Sequence, residues 1–351
     1  MNWKRMLAML KARNYEFFRD RAAFGWNFLF PFLIIVGFGL IFGGRDYSGF
    51  KIGVFPAADA TISFQDSNLP PEFINTRYLN FIGLPNQEAG LEKLKHHKID
   101  FLISLQSPSR QYWINDTSPK GYIVERLYKA SLIPQGSDEK EFGKRGIIAG
   151  REIRYIDWLF PGVLAMNMMF SALWGVGYVI VRYRKNGVLK RLKATPLTAL
   201  EYLTAQMLSR IFLLMFTIVI VWVGSDLIFS FQVVGSYLDL FIMYFIGGLS
   251  LATMGLVLAA RGASEEFASG ALNFITWPMM FLSEVWFSIE GAPQWIKNFA
   301  QIFPLTHLIR AVRRIMNDGA HLVDVSFECL ILLLFTIIFL IIGASLFSWN
   351  E

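Results

Sequence analysis

Apolar stretches of roughly 20 residues recur along the chain, at 24–42, 157–181, 207–229, 237–260, 267–289 and 327–347, with polar segments between them. Each has the length a helix needs to cross the ~30 Å hydrocarbon core of a bilayer. The pattern predicts an α-helical polytopic membrane protein with six transmembrane helices. Segment 1–23 is different. Trp3, Met6, Leu7, Leu10 and Tyr15 or Phe18 recur at helical spacing among Lys4, Arg5, Lys11, Arg13, Arg19 and Arg21. That alternation predicts an amphipathic helix on the cytoplasmic membrane surface. The run at 24–42 is longer than a signal-peptide core and no A-x-A site follows, so it reads as an anchoring first span.

Segment 44–155 contains no run of span length. Short β-rich stretches at 51–55, 99–103 and 111–114 read as strands. Stretches 87–95 and 122–130 read as helices, with Leu91, Leu94, Leu127 and Tyr128 facing inward. Together they predict an inserted extracytoplasmic α/β domain. His96 and His97 are adjacent and cannot share a helix face, so they are not read as a metal pair. Asn115-Asp116-Thr117 is a glycosylation sequon, relevant only in a source that glycosylates surface proteins.

Charge sets the orientation. Segments 1–23 and 182–206 are dense in Lys and Arg, which places both in the cytoplasm by the positive-inside rule. The result is N-in and C-in, with the remaining five spans in 156–351 and an outer hairpin at 290–324. In that hairpin Ile296, Phe299, Ile302 and Phe303 form an apolar face that dips into the outer leaflet. Composition agrees: 54% of residues are hydrophobic and 17% charged, against about 25% in soluble proteins. The net charge of +6 does not point to nucleic acid, because the basic residues flank spans, where lipid and topology account for them. One cysteine, Cys329, excludes an internal disulfide and a Cys-rich metal site. No phosphate-binding loop motif is present, so ATP and Mg would be bound by another chain and this chain needs no cofactor.

Loop 182–206 has internal order. Val188, Leu189 and Leu192 share one face of a short helix, Thr195-Pro196 breaks it, and Thr198 with Glu201 has capping-box spacing for the next helix. The string Gly187-x-Leu189-x-x-Leu192-x-x-Thr195-Pro196-Leu197-x-x-x-Glu201 resembles the first cytoplasmic loop of ABC-2 type transporter permeases. A second stretch resembles that family's fifth span and outer hairpin: Pro278, Leu282-Ser283, Ala292-Pro293-x-Trp295-Ile296, Phe303-Pro304-Leu305-Thr306-His307 and Arg310. The resemblance covers nearly the whole chain and fits the subgroup with a large outer domain after the first span. It implies that 187–192 is a coupling helix docking into a cytoplasmic ABC ATPase subunit. It also implies pairing with a second copy or a homologous permease in a bacterial inner or plasma membrane, and efflux of a drug, lipid or glycan-lipid.

Two other classes stay open: a secondary transporter needing no ATPase, and a membrane-anchored receptor acting through its outer domain. Secondary transporters normally carry ionisable residues at mid-span, which these spans nearly lack. The sequence departs from the family pattern at Glu284, where the resemblance implies a turn-forming Gly. Glu284 has three open roles: an ion-pair lock with Arg310, Arg313 or Arg314, a place on the substrate pathway, or a shallow position of little consequence. The pathway role is preferred, because Ser288 and Met280 each lie one helical turn away on the same face.

Overall fold

The computed structural model describes residues 2–42, 49–57, 69–96, 98–105, 111–132, 153–260 and 264–349. His97 and part of the loop at 261–266 lie outside the described residues. The chain divides into two compact units, Met1–Gly43 with Glu152–Glu351, and Gly44–Arg151.

The smaller unit contains β1 (Phe50–Phe55), α3 (Pro71–Ile74), β2 (Leu79–Gly83), α4 (Gln87–Lys95), β3 (Phe101–Ser104), β4 (Tyr112–Trp113) and α5 (Pro119–Ser131). The sheet order is β2-β1-β3-β4. Strand β1 runs parallel to β2 and β3, with Ile52 opposite both Phe81 and Phe101, and β4 is antiparallel to β3. Alternation gives each sheet face its own core. Ile52, Val54, Phe101 and Ile103 pack with Phe73, Val124 and Tyr128, while Phe55 and Leu102 pack with Leu84, Leu94 and Ile99. Leu94 and Tyr128 point inward as the periodicity predicts, but Leu91 and Leu127 are exposed. The buried stripes run through Gly90 and Leu94 in α4, and through Gly121, Val124 and Tyr128 in α5. Leu91 and Leu127 stand about 100° off those stripes.

The larger unit is a helical bundle. Helices α1 (Trp3–Arg19) and α2 (Arg21–Phe42) precede the inserted unit. After it come α6 (Tyr155–Leu173), a π-turn at Trp174–Tyr178, α7 (Val179–Lys185), α8 (Val188–Lys193), α9 (Ala199–Phe229) and α10 (Tyr237–Ala259). The chain ends with α11 (Glu265–Leu282), α12 (Gln294–Ala300), α13 (Pro304–Asp318) and α14 (Ser326–Leu346). Helix α10 is central and packs against α6, α9, α13 and α14. Met166, Met168 and Met169 are buried in the core.

Among the described residues, five helices are long and apolar enough to cross a membrane: α2, the continuous α6–α7 helix, α9, α10 and α14. The stretch expected as a span at 267–289 is shorter and more polar. Helix α11 begins at Glu265 and stops at Leu282, because Ser283 leaves helical geometry and Glu284 turns left-handed at φ 61°.

Candidate functional site

At one end of the bundle, α8 stands between α7 and α9. Gly187 adopts φ 68°, a conformation that favours glycine, and this separates α7 from α8. A Thr195 hydroxyl bond to Leu192 O (2.6 Å) closes the end of α8. The capping box then starts α9: the Glu201 N–H donates to Thr198 Oγ1 (3.3 Å), and the Thr198 N–H donates to Glu201 Oε2 (3.1 Å).

The apolar stripe of α8 faces its own bundle. Leu189 is fully buried, and Val188, Leu192 and Leu197 are half-buried against the same core. Leu189 is therefore an anchor within its own bundle, and the part of 187–192 open to a partner is the opposite face. Periodicity identified the stripe but could not say which surface would cover it. The face left free is basic and polar: Lys190, Arg191, Lys193, Ala194, Thr195 and Pro196 are exposed.

Helix α1 is tied to this loop. The Asn2 N–H donates to Glu201 Oε1 (2.6 Å), so one carboxylate caps α9 and anchors the start of α1. Arg5 Nη1 donates to Pro196 O (2.6 Å). Further along, Ser209 Oγ donates to Asn14 Oδ1 (2.5 Å), and Arg13, Glu16 and Tyr183 share short hydrogen bonds. Arg184 is buried and donates to Ala259 O, Ala260 O and Ser348 O, which ties the end of α7 to the end of α10 and the C-terminal segment. Named contacts thus join the α8 loop and its flanking helices to α1 and α10.

Deeper in the bundle is a feature the sequence reading missed. Arg210 lies eleven residues beyond Ala199, about 16 Å along α9. Its guanidinium lies directly on Gly175 of the π-turn, where a Cβ would stand 1.9 Å from Arg210 Cζ. Arg210 Nη2 donates to Ser171 Oγ (2.7 Å), and Gln206 Nε2 donates to Gly175 O (3.1 Å). The signal in the sequence was Arg210 four residues after Gln206, inside the apolar stretch 207–229.

At the opposite end, the turn after α11 is held by Arg313. Its Nε donates to Trp158 O (3.0 Å), its Nη2 donates to Glu284 O (2.7 Å), and its guanidinium lies 3.5 Å from the Trp158 ring centroid. Its Nη1 is 3.8 Å from Glu284 Oε2. Of the three arginines proposed for a lock, Arg313 is the one that meets Glu284; Arg310 bonds Gln301 (3.2 Å) and Arg314 pairs with Glu328 (3.6 Å). Glu284 and Ser288 line one cavity of about 390 Å³, but Met280 is buried in the core. The helical spacing expected to align all three fails because the helix has ended before Glu284.

The hairpin residues divide between two roles. Pro304 starts α13, and the Thr306 hydroxyl bonds Ala300 O (2.6 Å) and Ser283 Oγ (2.9 Å), joining hairpin to turn. Pro293 precedes α12, while Trp295 and Arg310 are exposed.

A family model described as "ABC-2 family transporter protein" matches residues 22–345. The chain is 21% identical to the probable multidrug ABC transporter permease YbhS of Escherichia coli (strain K12) over 378 aligned residues, 99% of this chain and 95% of that relative. It is 23% identical to the probable multidrug ABC transporter permease YbhR of the same strain over 165 residues, 47% of this chain and 45% of the relative. It is also 21% identical to the daunorubicin resistance ABC transporter permease protein DrrB1 of Streptomyces coeruleorubidus over 184 residues, 52% and 64% of the two chains. The match to YbhR thus spans less than half of that relative, whereas the match to YbhS spans nearly all of it.

Proposed function

The chain is a multi-pass membrane protein of the ABC-2 transporter family, and from that premise we propose that it is the membrane subunit of an ATP-driven exporter of lipophilic compounds. Two such subunits pair around a pathway, and separate cytoplasmic ATPase chains bind ATP and Mg. Helix α11 serves as the sixth span, since its 18 residues rise about 27 Å, close to the hydrocarbon thickness. The α8 end then faces the cytoplasm and unit 44–151 lies outside.

The observation that carries this reading is the free basic face of α8, mounted on a loop that α1, α7 and α9 all grip. Lys190, Arg191 and Lys193 meet an acidic rim on the ATPase. Thr195 and Pro196 fix the loop's shape, and Gly187, Leu189 and Glu201 position it. The cluster Arg13–Glu16–Tyr183 carries the push to α1 and α7.

Export of lipophilic compounds is supported by the multidrug and daunorubicin-resistance names of the relatives. The secondary-transporter reading would need a proton or ion relay. Arg210, eleven residues into α9, does not serve as one, because a guanidinium does not give up its proton in a protein. Comparing uptake of lipophilic fluorescent drugs in de-energised and ATP-replete cells, with and without the chain, tests the proposal. ATP-dependent lowering of uptake by the chain is expected; equal accumulation across a broad lipophilic panel would contradict it.

A further inference from the structure

The cavity beside the Glu284 turn has a lining unlike a lipophilic pathway. Of its nine lining residues, Ile289 alone is apolar. Helix α12 builds one wall. Gln294, Lys297, Asn298 and Gln301 recur at i, i+3, i+4 and i+7 and face the cavity. The other side of the same helix and its exit presents exposed Trp295, Phe299 and Ile302. Such a segment rests its apolar side in the acyl region and its polar side at headgroup level, with Trp at the boundary.

The charges in the cavity are balanced. Among the lining residues, Glu290 and Glu284 (the latter 3.8 Å from the Arg313 guanidinium outside the lining) supply two carboxylates, and Lys297 and Arg310 supply two cations. Among the described residues, Glu290, Lys297 and Arg310 form no ion pair; Arg310 has a single hydrogen bond, to Gln301 Oε1 (3.2 Å). Glu284 keeps a left-handed backbone that costs a non-glycine residue energy, and such strain is often retained where a side chain is needed. An ion of either sign would meet repulsion here as well as attraction. A neutral sugar would desolvate the charges without offsetting them. A molecule carrying an oxoanion and a primary ammonium satisfies both signs: the oxoanion meets Lys297 and Arg310, and the ammonium meets Glu284 and Glu290.

We infer that this cavity binds the headgroup of an aminophospholipid from the outer leaflet. The inference rests on the reading of the hairpin as the outer membrane surface. The primary ammonium is the selective element, because a quaternary ammonium has no N–H to donate to the carboxylates.

The test uses full-length protein in detergent, titrated with phosphatidylethanolamine, phosphatidylcholine or phosphatidylglycerol and read by native mass spectrometry. The ethanolamine lipid should be retained at least about tenfold above the other two, the scale of one charge-assisted hydrogen bond. Glu290→Gln should remove that preference and Lys297→Gln should weaken retention of all three lipids alike, each leaving the elution profile and melting temperature unchanged. Soluble phosphoethanolamine should compete only at much higher concentration if a lipid is the occupant; competition at equal concentration would overturn the lipid source. Equal retention of the three lipids, an undiminished preference in Glu290→Gln, or undiminished retention in Lys297→Gln would overturn the site. A Ser288→Cys variant on a Cys329→Ser background, labelled in intact cells by an impermeant thiol reagent, checks sidedness independently. Labelling only after lysis would overturn the outer-leaflet assignment and leave the cavity chemistry to the lipid titration.

Discussion

Replacing Glu284 by glycine separates what the side chain does from what the turn needs. Glu284 sits at φ 61°, and a non-glycine residue there costs about 1–2 kcal/mol. Glycine relieves that strain. Against this, it enlarges the unfolded ensemble by about 0.4–1 kcal/mol. It also removes the carboxylate 3.8 Å from Arg313 Nη1, and with the Glu284 side chain one-third exposed that pair is worth about 0–1 kcal/mol. The terms nearly cancel, so Glu284→Gly should melt within a few degrees of wild type. Glu284→Gln keeps the strain and loses the pair, so it should melt at or below the glycine variant. Arg313→Leu is a different matter. It strips the turn of two charged hydrogen bonds, to Trp158 O and Glu284 O, at a cost of about 3–5 kcal/mol. Thermal melts of detergent-purified full-length protein give the order: glycine at or above glutamine, and leucine at 313 far below both. If Glu284→Gly melted as low as Arg313→Leu, the carboxylate would be the lock and the carbonyl clamp would be secondary. A wild-type melt for Arg313→Leu would refute the clamp altogether.

Three further outcomes follow from the geometry. Gly175→Ala drives a methyl group into the Arg210 guanidinium and should destabilise by about 1–3 kcal/mol, with a clearly smaller loss on an Arg210→Ala background; additive losses in the double mutant would argue against the contact. Leu189→Ala should cost about 2–5 kcal/mol and lower the yield of folded protein, whereas Lys190→Ala should leave the melt unchanged; the reverse ranking would mean that the apolar stripe of α8 faces outward. Glu201→Ala removes the acceptor for both the Thr198 and Asn2 N–H groups, so amide exchange should accelerate at the starts of α9 and α1 together; a change at α9 alone would break the proposed link.

Much of this was legible in the chain. The Thr198–Glu201 capping box and the clip at Thr195-Pro196 are local devices, and local spacing specifies them. The strands at β1 and β3 and the inward positions Leu94 and Tyr128 followed from alternation and helical period. Strand β2 escaped because Leu79-Asn80-Phe81-Ile82-Gly83 is half-buried over its first four residues with no alternation, and pairing with β1 decides its state. Leu189 was legible as apolar but not as buried, since an apolar face fits a partner's groove and its own core equally well. Arg184, Arg210 and Arg313 were hidden for another reason. In sequence they are basic residues near loops, and only the fold shows the carbonyls and hydroxyls that hold them. The end of α11 depended on a backbone conformation that glutamate rarely adopts.

The central claim is that the free basic face of α8 receives a separate ATPase. It is tested most directly by purifying the tagged chain from its native membrane and measuring the Mg-dependent ATP hydrolysis that accompanies it. The comparison is with a Lys190→Glu, Arg191→Glu, Lys193→Glu triple variant. These side chains are exposed, so the variant should insert and melt like wild type. Hydrolysis should accompany the wild-type chain and be lost with the variant. An ATPase retained at full level by the charge-reversed face, or no hydrolysis with the wild-type chain, would contradict the account.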